Sequence, residues 1–255
     1  LKFTFGIITG GAQENNINAI IDSIEMQQIS ELDYEIIIIG SCNISRRNTS
    51  VISFNENEKR AWISRKKNIL TKEALFENIV YLHDYVKLMP GWYEGFLKFG
   101  NNFQVCMNPI LNTDNTRFRD WVLYDLPLSD MERDEKMIPY NMTHLSKWMY
   151  FSGTYWIAKK SVMEEFPLNE LCGHGQGEDV VWSLQIRDKY DFNINTQSIV
   201  KLLPSTGKGW NKGKKGAKFY EMREKIIEKL EKIKQPTRVT SPGLTGFLKR
   251  HGIQL

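Results

Sequence analysis

Short apolar runs alternate with helix-like patterns along the first hundred residues. The runs Phe3–Thr9, Glu35–Ile39, Val51–Phe54 and Ile79–Leu82 predict four strands, the second of which contains four consecutive isoleucines. The segment from about 59 to 78 predicts a helix before the last of these strands. Repeated strand–helix–strand units of this kind imply a mostly parallel sheet with helices on its faces. We therefore predict an α/β fold.

A first helix is predicted between the first two strands. Isoleucines at positions 17, 20, 21 and 24 recur at helical spacing, and Asn15 or Asn16 could cap this helix. Sheets of this kind bind ligands beyond the carboxyl ends of their strands. The residues that directly follow the strands are therefore where chemistry is expected.

Composition and charge restrict the class of protein. With 255 residues, of which 41% are hydrophobic and 25% charged, the chain is an ordinary folded one rather than a disordered or fibrous one. It contains no apolar run of about 18 residues, and its first residues lack the layout of a signal peptide. Cys42, Cys106 and Cys172 fit neither a disulfide framework nor a zinc pattern. We therefore expect a cytoplasmic protein.

The region after residue 200 is strongly basic. The segment Lys201–Lys218 contains six lysines, Lys208 among them, and no acid, with glycines between them. Its plain interpretation is a solvated loop, and its functional one is a loop that closes on a polyanion. Because the rest of the chain is charge-balanced, a small phosphorylated ligand fits better than nucleic acid. A helix is predicted from about 218 to 234, which either docks on the domain or makes a peripheral membrane contact.

Carboxylates stand at two of the expected positions. Asp84 follows His83 at the end of a predicted strand, where it could hold a divalent cation or a ribose hydroxyl, or merely cap the next segment. Glu178 and Asp179 open a predicted helix after a glycine-rich loop. Such a carboxylate could accept a proton from a hydroxyl, although acids in a first turn also simply complement the helix dipole, which would keep the pKa of Asp179 low.

Three consecutive cations, Arg65, Lys66 and Lys67, begin the helix predicted from 59 to 78. Such residues usually face solvent. Because successive helix positions point in different directions, one of them could instead reach a phosphate.

Taken together, these segments resemble the GT-A glycosyltransferases, and most closely the inverting family 2 enzymes that use nucleotide sugars. The resemblance covers about residues 3–205. Leu82–Trp92 is similar to the segment that carries the family's Asp-X-Asp motif, Gly177–Trp182 to its acceptor-side Glu-Asp motif, and Arg65–Asn68 to its Ala-Arg-Asn segment near the donor. The resemblance implies a Rossmann-like GT-A fold with a mostly parallel central sheet, followed by a C-terminal helical tail.

The resemblance also implies roles for individual residues. Asp179 would be the general base, with Glu178 orienting the acceptor or the base. Donor contacts would come from Thr9, Gly10, Gly11, Arg65, Lys67, Asp84 and Lys208. The acceptor side would be lined by Gly153, which precedes the predicted strand Tyr155–Ala158. Tryptophans of this kind usually belong to the core, but Trp121 and Trp156 could present ring faces to a sugar.

The chain departs from the family's pattern at two places. Tyr85 stands where many relatives have the second Asp of Asp-X-Asp, and tyrosine is a poor ligand for Mg²⁺ or Mn²⁺. An ion of this kind bound by Asp84, with His83 as a further ligand, is therefore implied only weakly. Gly40–Cys42 stands where relatives place an Asp that recognises the nucleotide base. Asp33, Glu56 or Glu58 could take its place.

The sequence thus predicts a transferase domain over residues 1–205, with a donor half over about 1–107 and an acceptor half over about 108–205. Residues 206–255 form the basic loop, helix and tail. The expected partners are a UDP-linked sugar donor and a glycan or lipid-linked acceptor, as in polysaccharide biosynthesis. A sugar nucleotidyltransferase and a non-catalytic carbohydrate- or partner-binding module are the alternatives. The first is disfavoured because the turn after the first strand lacks a basic residue.

Overall fold

A computed structural model of the chain describes residues 1–204 except positions 12, 60, 124–136, 138, 143–145, 147–148 and 173–176. The predictions for Lys208, for the helix from 218 to 234 and for the rest of residues 206–255 lie outside the described residues.

The described residues form short strands and helices in alternation. The strands are β1 (Phe3–Ile8), β2 (Tyr34–Ile39), β3 (Thr49–Ile52), β4 (Asn78–His83), β5 (Val86–Leu88), β6 (Val105–Met107), β7 (Ile110–Leu111), β8 (Trp121–Leu123), β9 (Met149–Phe151), β10 (Tyr155–Lys159), β11 (Phe192–Ile194) and β12 (Val200–Leu202). The helices are α1 (Glu14–Glu25), α2 (Ile63–Glu73), α3 (Trp92–Phe99), α4 (Lys160–Glu165) and α5 (Glu178–Ile186).

The central sheet has the strand order β11-β6-β10-β4-β1-β2-β3. Apart from β10, which pairs antiparallel with both β4 and β6, the described strands of this sheet run in one direction. Two smaller sheets, β5-β12-β7 and β8-β9, lie beside it. This architecture confirms the predicted α/β fold with a mostly parallel sheet.

Two local predictions were wrong. Gln13 is the N-cap of α1, so Asn15 and Asn16 lie inside its first turn, where the Asn16 amide donates to Gln13 Oε1 instead of capping the helix. The second helix ends at Glu73 rather than near 78, because Ala74 already has an extended backbone. The chain is then free to enter β4 at Asn78.

None of the helices within the described ranges is both long enough and apolar enough to cross a bilayer.

Close packing of α2 on β1 depends on a glycine in the middle of that strand. A Cβ atom at position 6 would lie 1.8 Å from a methyl carbon of Leu70, whose side chain is fully buried. The missing side chain of Gly6 therefore sets the distance between the helix and the sheet, and with it the position of the cations that α2 carries.

We expect Gly6→Ala to destabilise the protein by about 1–3 kcal/mol, because the added methyl overpacks this contact. Denaturant unfolding monitored by circular dichroism measures the loss. In the double variant Gly6→Ala with Leu70→Ala, the loss in free energy of unfolding should be smaller than the sum of the losses in the two single variants, because the smaller side chain at position 70 leaves room for the added methyl group. Gly10→Ala is the matched control, since its Cβ would meet nothing within 4 Å. Equal losses in the two glycine variants would contradict this account.

Candidate active site

Asp84, the carboxylate predicted for the donor side, lies where β1 and β4 end side by side. These strands pair in parallel with Ile8 opposite His83, so the following residues, Thr9 and Asp84, meet at the carboxyl edge of the sheet. The Thr9 hydroxyl donates a 2.7 Å hydrogen bond to Asp84 Oδ2. Burial raises the pKa of Asp84, although this hydrogen bond and others from backbone amides oppose the effect. Asp84 is thus a fixed acceptor at this edge.

Lys66 brings a buried positive charge to the same place. Its ammonium group donates a 2.7 Å hydrogen bond to the Thr9 carbonyl and pairs with the carboxylate of Glu56. The group also lies 4.8 Å from the centre of the Phe54 ring. The charge of Lys66 lowers the pKa of Asp84, so the two groups interact electrostatically.

Glu178 and Asp179, the carboxylates predicted for the acceptor side, reach this edge from the first turn of α5. Since β10 runs antiparallel to β4 with Tyr155 opposite Leu82, the turn that precedes β10 lies at the carboxyl end of β4. Within that turn the Gly153 amide donates a 2.6 Å hydrogen bond to Asp179 Oδ2. A Cβ atom at position 153 would lie 2.9 Å from that oxygen and 3.1 Å from Glu178 Oε1. Glycine therefore permits this close approach.

Lys67 lies beneath the same turn and is fully buried. Its ammonium group donates a 2.8 Å hydrogen bond to the Gly153 carbonyl and lies 3.9 Å from Glu178 Oε1. It also stands 4.0 Å from the centre of the Trp156 ring, a cation–π contact. Burial lowers the pKa of Lys67 to about 8, while the charges of Glu178 and Asp179 oppose that shift.

Tyr85 connects the two sides of the site. Its phenol forms a hydrogen bond with the Thr154 side chain. Burial raises the pKa of Tyr85, and the charges of Asp84, Glu178 and Asp179 raise it further. Backbone geometry brings the carboxylates at 84 and 179 to the same edge: the His83 amide donates a 3.3 Å hydrogen bond to the Thr154 carbonyl, next to the Gly153 amide that binds Asp179.

The surroundings of Asp179 favour its protonated form. Burial raises the pKa of Asp179 to about 6, and the charge of Glu178 adds to the effect, against hydrogen bonds from the Gly153 and Val180 amides and the charge of Lys67. The expectation that the helix dipole keeps this pKa low was wrong, because loss of water around the carboxylate outweighs the dipole. A carboxylate with such a pKa is well placed to take up a proton near neutral pH.

The other residues predicted for the donor side differ in whether they lie at this edge of the sheet. Gly10 is exposed after β1, and Gly11 has a φ of +90° with room for no side chain, since a Cβ would lie 2.7 Å from the Ser41 carbonyl oxygen. Arg65 points to the surface and pairs with Glu170 at 2.8 Å. Lys67, predicted as a donor contact, lies next to Gly153 and Glu178, the residues predicted for the acceptor side.

The two tryptophans predicted for the acceptor side lie in the core. Trp121 and Trp156 are both fully buried, and Trp156 stacks on Trp182 with ring centres 5.5 Å apart. Neither indole presents a ring face to a sugar in this arrangement. Asp33, considered as a reader of the base, pairs with Lys2 at the start of β1, at the wrong end of the sheet.

The described residues do not form a metal site of protein ligands alone. Among them, no three His, Cys, Asp or Glu side chains are arranged so that they could hold a metal ion. At the predicted position Asp84 supplies one carboxylate, His83 lies with its ring 5.3 Å from that of Tyr85, and Tyr85 is engaged with Thr154. One carboxylate is a poor fit to the several oxygen ligands of Mg²⁺ or Mn²⁺.

Sequence reasoning missed the inward orientation of Lys66 and Lys67. Both belong, with Leu70 and Thr71, to the buried face of α2. The spacing of these four positions is that of one helix face, so Leu70 was a signal that the two lysines turn toward the sheet. Their partners at Thr9 and Gly153 could not be read from the sequence.

Comparison by sequence finds no match, neither to a protein-family model nor to a curated protein. Comparison of folds finds glycosyltransferases. S. aureus TarS 1–349, solved in complex with UDP-GlcNAc, is 12% identical with a TM-score of 0.58, over 89% of this chain and 65% of that one. GalNAc-T7, solved with UDP, GalNAc and Mn²⁺, is 12% identical with a TM-score of 0.62, over 99% of this chain and 55% of that one.

These likenesses show that the chain has a GT-A-like glycosyltransferase fold. The chain spans less than two thirds of the length of the TarS and GalNAc-T7 chains that it matches. At such low identity the likeness describes the fold, and the chemistry has to be argued from the residues of this chain.

The raised pKa of Asp179 predicts a fall in stability between about pH 4 and pH 6. In this interval folded Asp179 keeps a proton that the unfolded chain releases, so the free energy of unfolding decreases as the pH rises. Asp179→Asn should flatten the dependence of the melting temperature on pH over this interval. Asp22→Asn, on the exposed side of α1, is the control and should keep the wild-type slope. A wild-type slope in the Asp179 variant would contradict the assigned pKa shift.

Proposed function

We propose that this chain is an inverting glycosyltransferase that moves a sugar from a UDP-linked donor to a hydroxyl group of a glycan or similar acceptor. The observation that carries the proposal is that Asp84, which follows β4, and Asp179, which accepts from the Gly153 amide in the turn before β10, lie at the same carboxyl edge of the sheet. Ligands of such sheets bind at this edge. The fold shared with UDP-bound glycosyltransferases supports a nucleotide-sugar donor.

In the proposed reaction Asp179 is the general base. The acceptor oxygen attacks the anomeric carbon as the bond from that carbon to the diphosphate oxygen breaks, and the acceptor proton passes to Asp179. Displacement from the opposite face inverts the configuration, and the nucleoside diphosphate leaves with the bonding electrons. The raised pKa of Asp179 suits this role, because a base titrating near the working pH takes up a proton readily.

Neutralisation of the leaving diphosphate is assigned to lysines. Lys66 places a buried ammonium group beside Thr9 and Asp84. The chain also leads toward the basic segment from this edge: the Leu203 amide donates to the Tyr85 carbonyl at 2.8 Å, and the next residue, Pro204, accepts from Asn16. This exit point supports Lys208 as a donor contact.

The proposal gives Asp84 and Thr9 to the donor, and Gly153 and Glu178 to the acceptor side. Trp121 and Trp156 are treated as packing residues because they are fully buried. A divalent ion shared with the donor's phosphates would be held on the protein by Asp84 alone among the described residues, so no catalytic step depends on it here.

A non-catalytic carbohydrate- or partner-binding module is the second candidate. Tyr85 favours it, since this residue replaces a metal-binding acid with a phenol that is already hydrogen-bonded to Thr154. Such a module would bind nucleotide sugars or glycans and release no nucleoside diphosphate from them.

Turnover tests the proposed base. Incubation with UDP-GlcNAc and UDP-GalNAc, with water or added glycans as acceptors, should release UDP. Asp179→Asn should lower that rate by about 10²-fold or more, because it removes the proton acceptor and leaves the donor contacts in place. Proton NMR of the anomeric centre of the product should show inversion. Unchanged turnover in the variant would remove Asp179 from the mechanism, and no UDP release by the wild type would favour the binding module.

Ligand-induced stabilisation tests the donor side. In a thermal-shift panel of UDP, GDP, CMP and dTDP, each with and without Mn²⁺, we expect UDP to raise the melting temperature most, because stabilisation follows affinity. Asp84→Asn should reduce the shift, whereas Asp179→Asn should keep it. Equal shifts for all nucleotides would contradict a uridine site, and a shift seen only with Mn²⁺ would restore a metal at Asp84.

A further inference from the structure

Lys67 is the residue of this site whose role the reaction does not yet explain. A buried ammonium group is costly unless it is paired and hydrogen-bonded. Lys67 exposes 0% of its surface, yet it lies on a helix that also has a solvent-facing side. Its partners are the Gly153 carbonyl, Glu178 and the face of Trp156.

Lys67 and Asp179 hold the same glycine by its two polar groups. The carbonyl of Gly153 accepts from Lys67 at 2.8 Å, and its amide donates to Asp179 at 2.6 Å. Glu178 approaches from the same side as Asp179, 3.9 Å from the ammonium group. One buried cation therefore sits below a turn that carries two adjacent carboxylates.

We propose that Lys67 is a positioning residue for the base: it fixes the Gly153 turn that holds Asp179 and supplies the positive charge that lets two neighbouring carboxylates share the pocket. This inference rests on the proposed role of Asp179. It moves Lys67 from the donor phosphates, where the sequence resemblance put it, to the acceptor side.

The charged and titratable groups that act on Asp179 come from several elements. Glu178 lies on α5 and Lys67 on α2, Tyr85 follows β4, and Cys172 precedes α5. Lys67 is the positive group that lowers the pKa of Asp179, and Glu178 raises it. Without Lys67 the base would remain protonated to higher pH.

Lys67→Met tests the proposal, and Lys159→Met is the matched control. Lys159 is also a buried lysine over an aromatic ring, 4.6 Å from the centre of Phe103, but its hydrogen bonds go to the neutral amides of Asn78 and Asn101. It stands at the far end of β10, away from the carboxylates. Both variants lose a buried cation, and only one loses it beside Asp179.

The first readout is the pH profile of UDP release from UDP-GlcNAc. In Lys67→Met the acidic limb of kcat/KM should move to higher pH by about 1 unit or more, the size of effect that a nearby opposite charge produces. Lys159→Met should leave the limb in place. A lower rate with an unmoved limb in Lys67→Met would mean a merely structural role and would overturn the proposal.

The second readout needs no turnover. Because the carboxylates are uncompensated without Lys67, the drop in melting temperature caused by Lys67→Met should be larger at pH 7 than at pH 5, whereas the drop for Lys159→Met should be the same at both. If Lys67→Met does not fold, Lys67→Met with Glu178→Gln takes its place. This pair removes one charge of each sign, and it should fold and be more stable than Lys67→Met alone. Failure of that rescue would overturn the proposal.

The two readouts separate the two hypotheses. A pH-independent loss in Lys67→Met overturns the role of Lys67, whatever the enzyme does. If the drop in melting temperature depends on pH but the wild type releases no UDP, the proposed transferase activity and the role of Asp179 as its base are overturned. The interaction between Lys67 and the carboxylates is still established by that result.

Discussion

The site depends on how β4 pairs with its two neighbours, because one of them, β1, runs parallel to β4 and the other, β10, runs antiparallel to it. β1 runs parallel to β4, so both strands end at the same edge and present Thr9 and Asp84 there. β10 runs antiparallel to β4, so it begins where β4 ends and brings the turn at Gly153 to that edge. A sheet of purely parallel strands would have placed the start of β10 at the far end. Because β10 is antiparallel, the edge that holds Asp84 also holds the Gly153 turn, to which Asp179 is hydrogen-bonded.

The same edge concentrates negative charge that the fold has to compensate from within. Asp84, Glu178 and Asp179 all act on Tyr85, and the two lysines that oppose them are buried on the sheet side of α2. Lys66, Lys67 and Glu178 are buried, and Asp84, Tyr85 and Asp179 are half-buried, so the interactions among these groups are stronger than they would be at the surface. The pKa of Asp179 is raised to about 6, so this carboxyl group is mostly protonated at mildly acid pH. Carboxyl groups with shifted pKa values of this kind are typical of functional sites and reduce the stability of the folded protein.

The architecture could be predicted because strands and helices have regular hydrophobic periodicity. The site could be predicted only in part, because it depends on contacts between residues that are distant in the sequence. The isoleucine-rich β2 and the glycine-limited start of α5 follow from local patterns, and the Glu178–Asp179 pair was found because acids at a helix start after glycines are conspicuous. The three cations at the start of α2 were expected either to face solvent or to reach a donor phosphate, with Lys67 among the donor contacts. The burial of two of them depends on partners that the local pattern does not reveal, Thr9 and Glu56 for Lys66 and Gly153 and Glu178 for Lys67. Trp121 and Trp156 show the converse: an aromatic ring suits a core and a sugar equally well, and only packing decides between them.

The partners of α2 have a consequence for how the chain can be divided. Lys66 finds its acid locally, at Glu56, whereas Lys67 depends on Gly153 and Glu178, which are more than eighty residues further along. A fragment that ended with β6 would contain β1 to β4 and β6, yet it would lack the Gly153 carbonyl that accepts from Lys67 and the Trp156 ring that covers it. The complete burial of Lys67 therefore depends on both the earlier and the later part of the described chain, and we expect a fragment ending at β6 to expose this side chain to water.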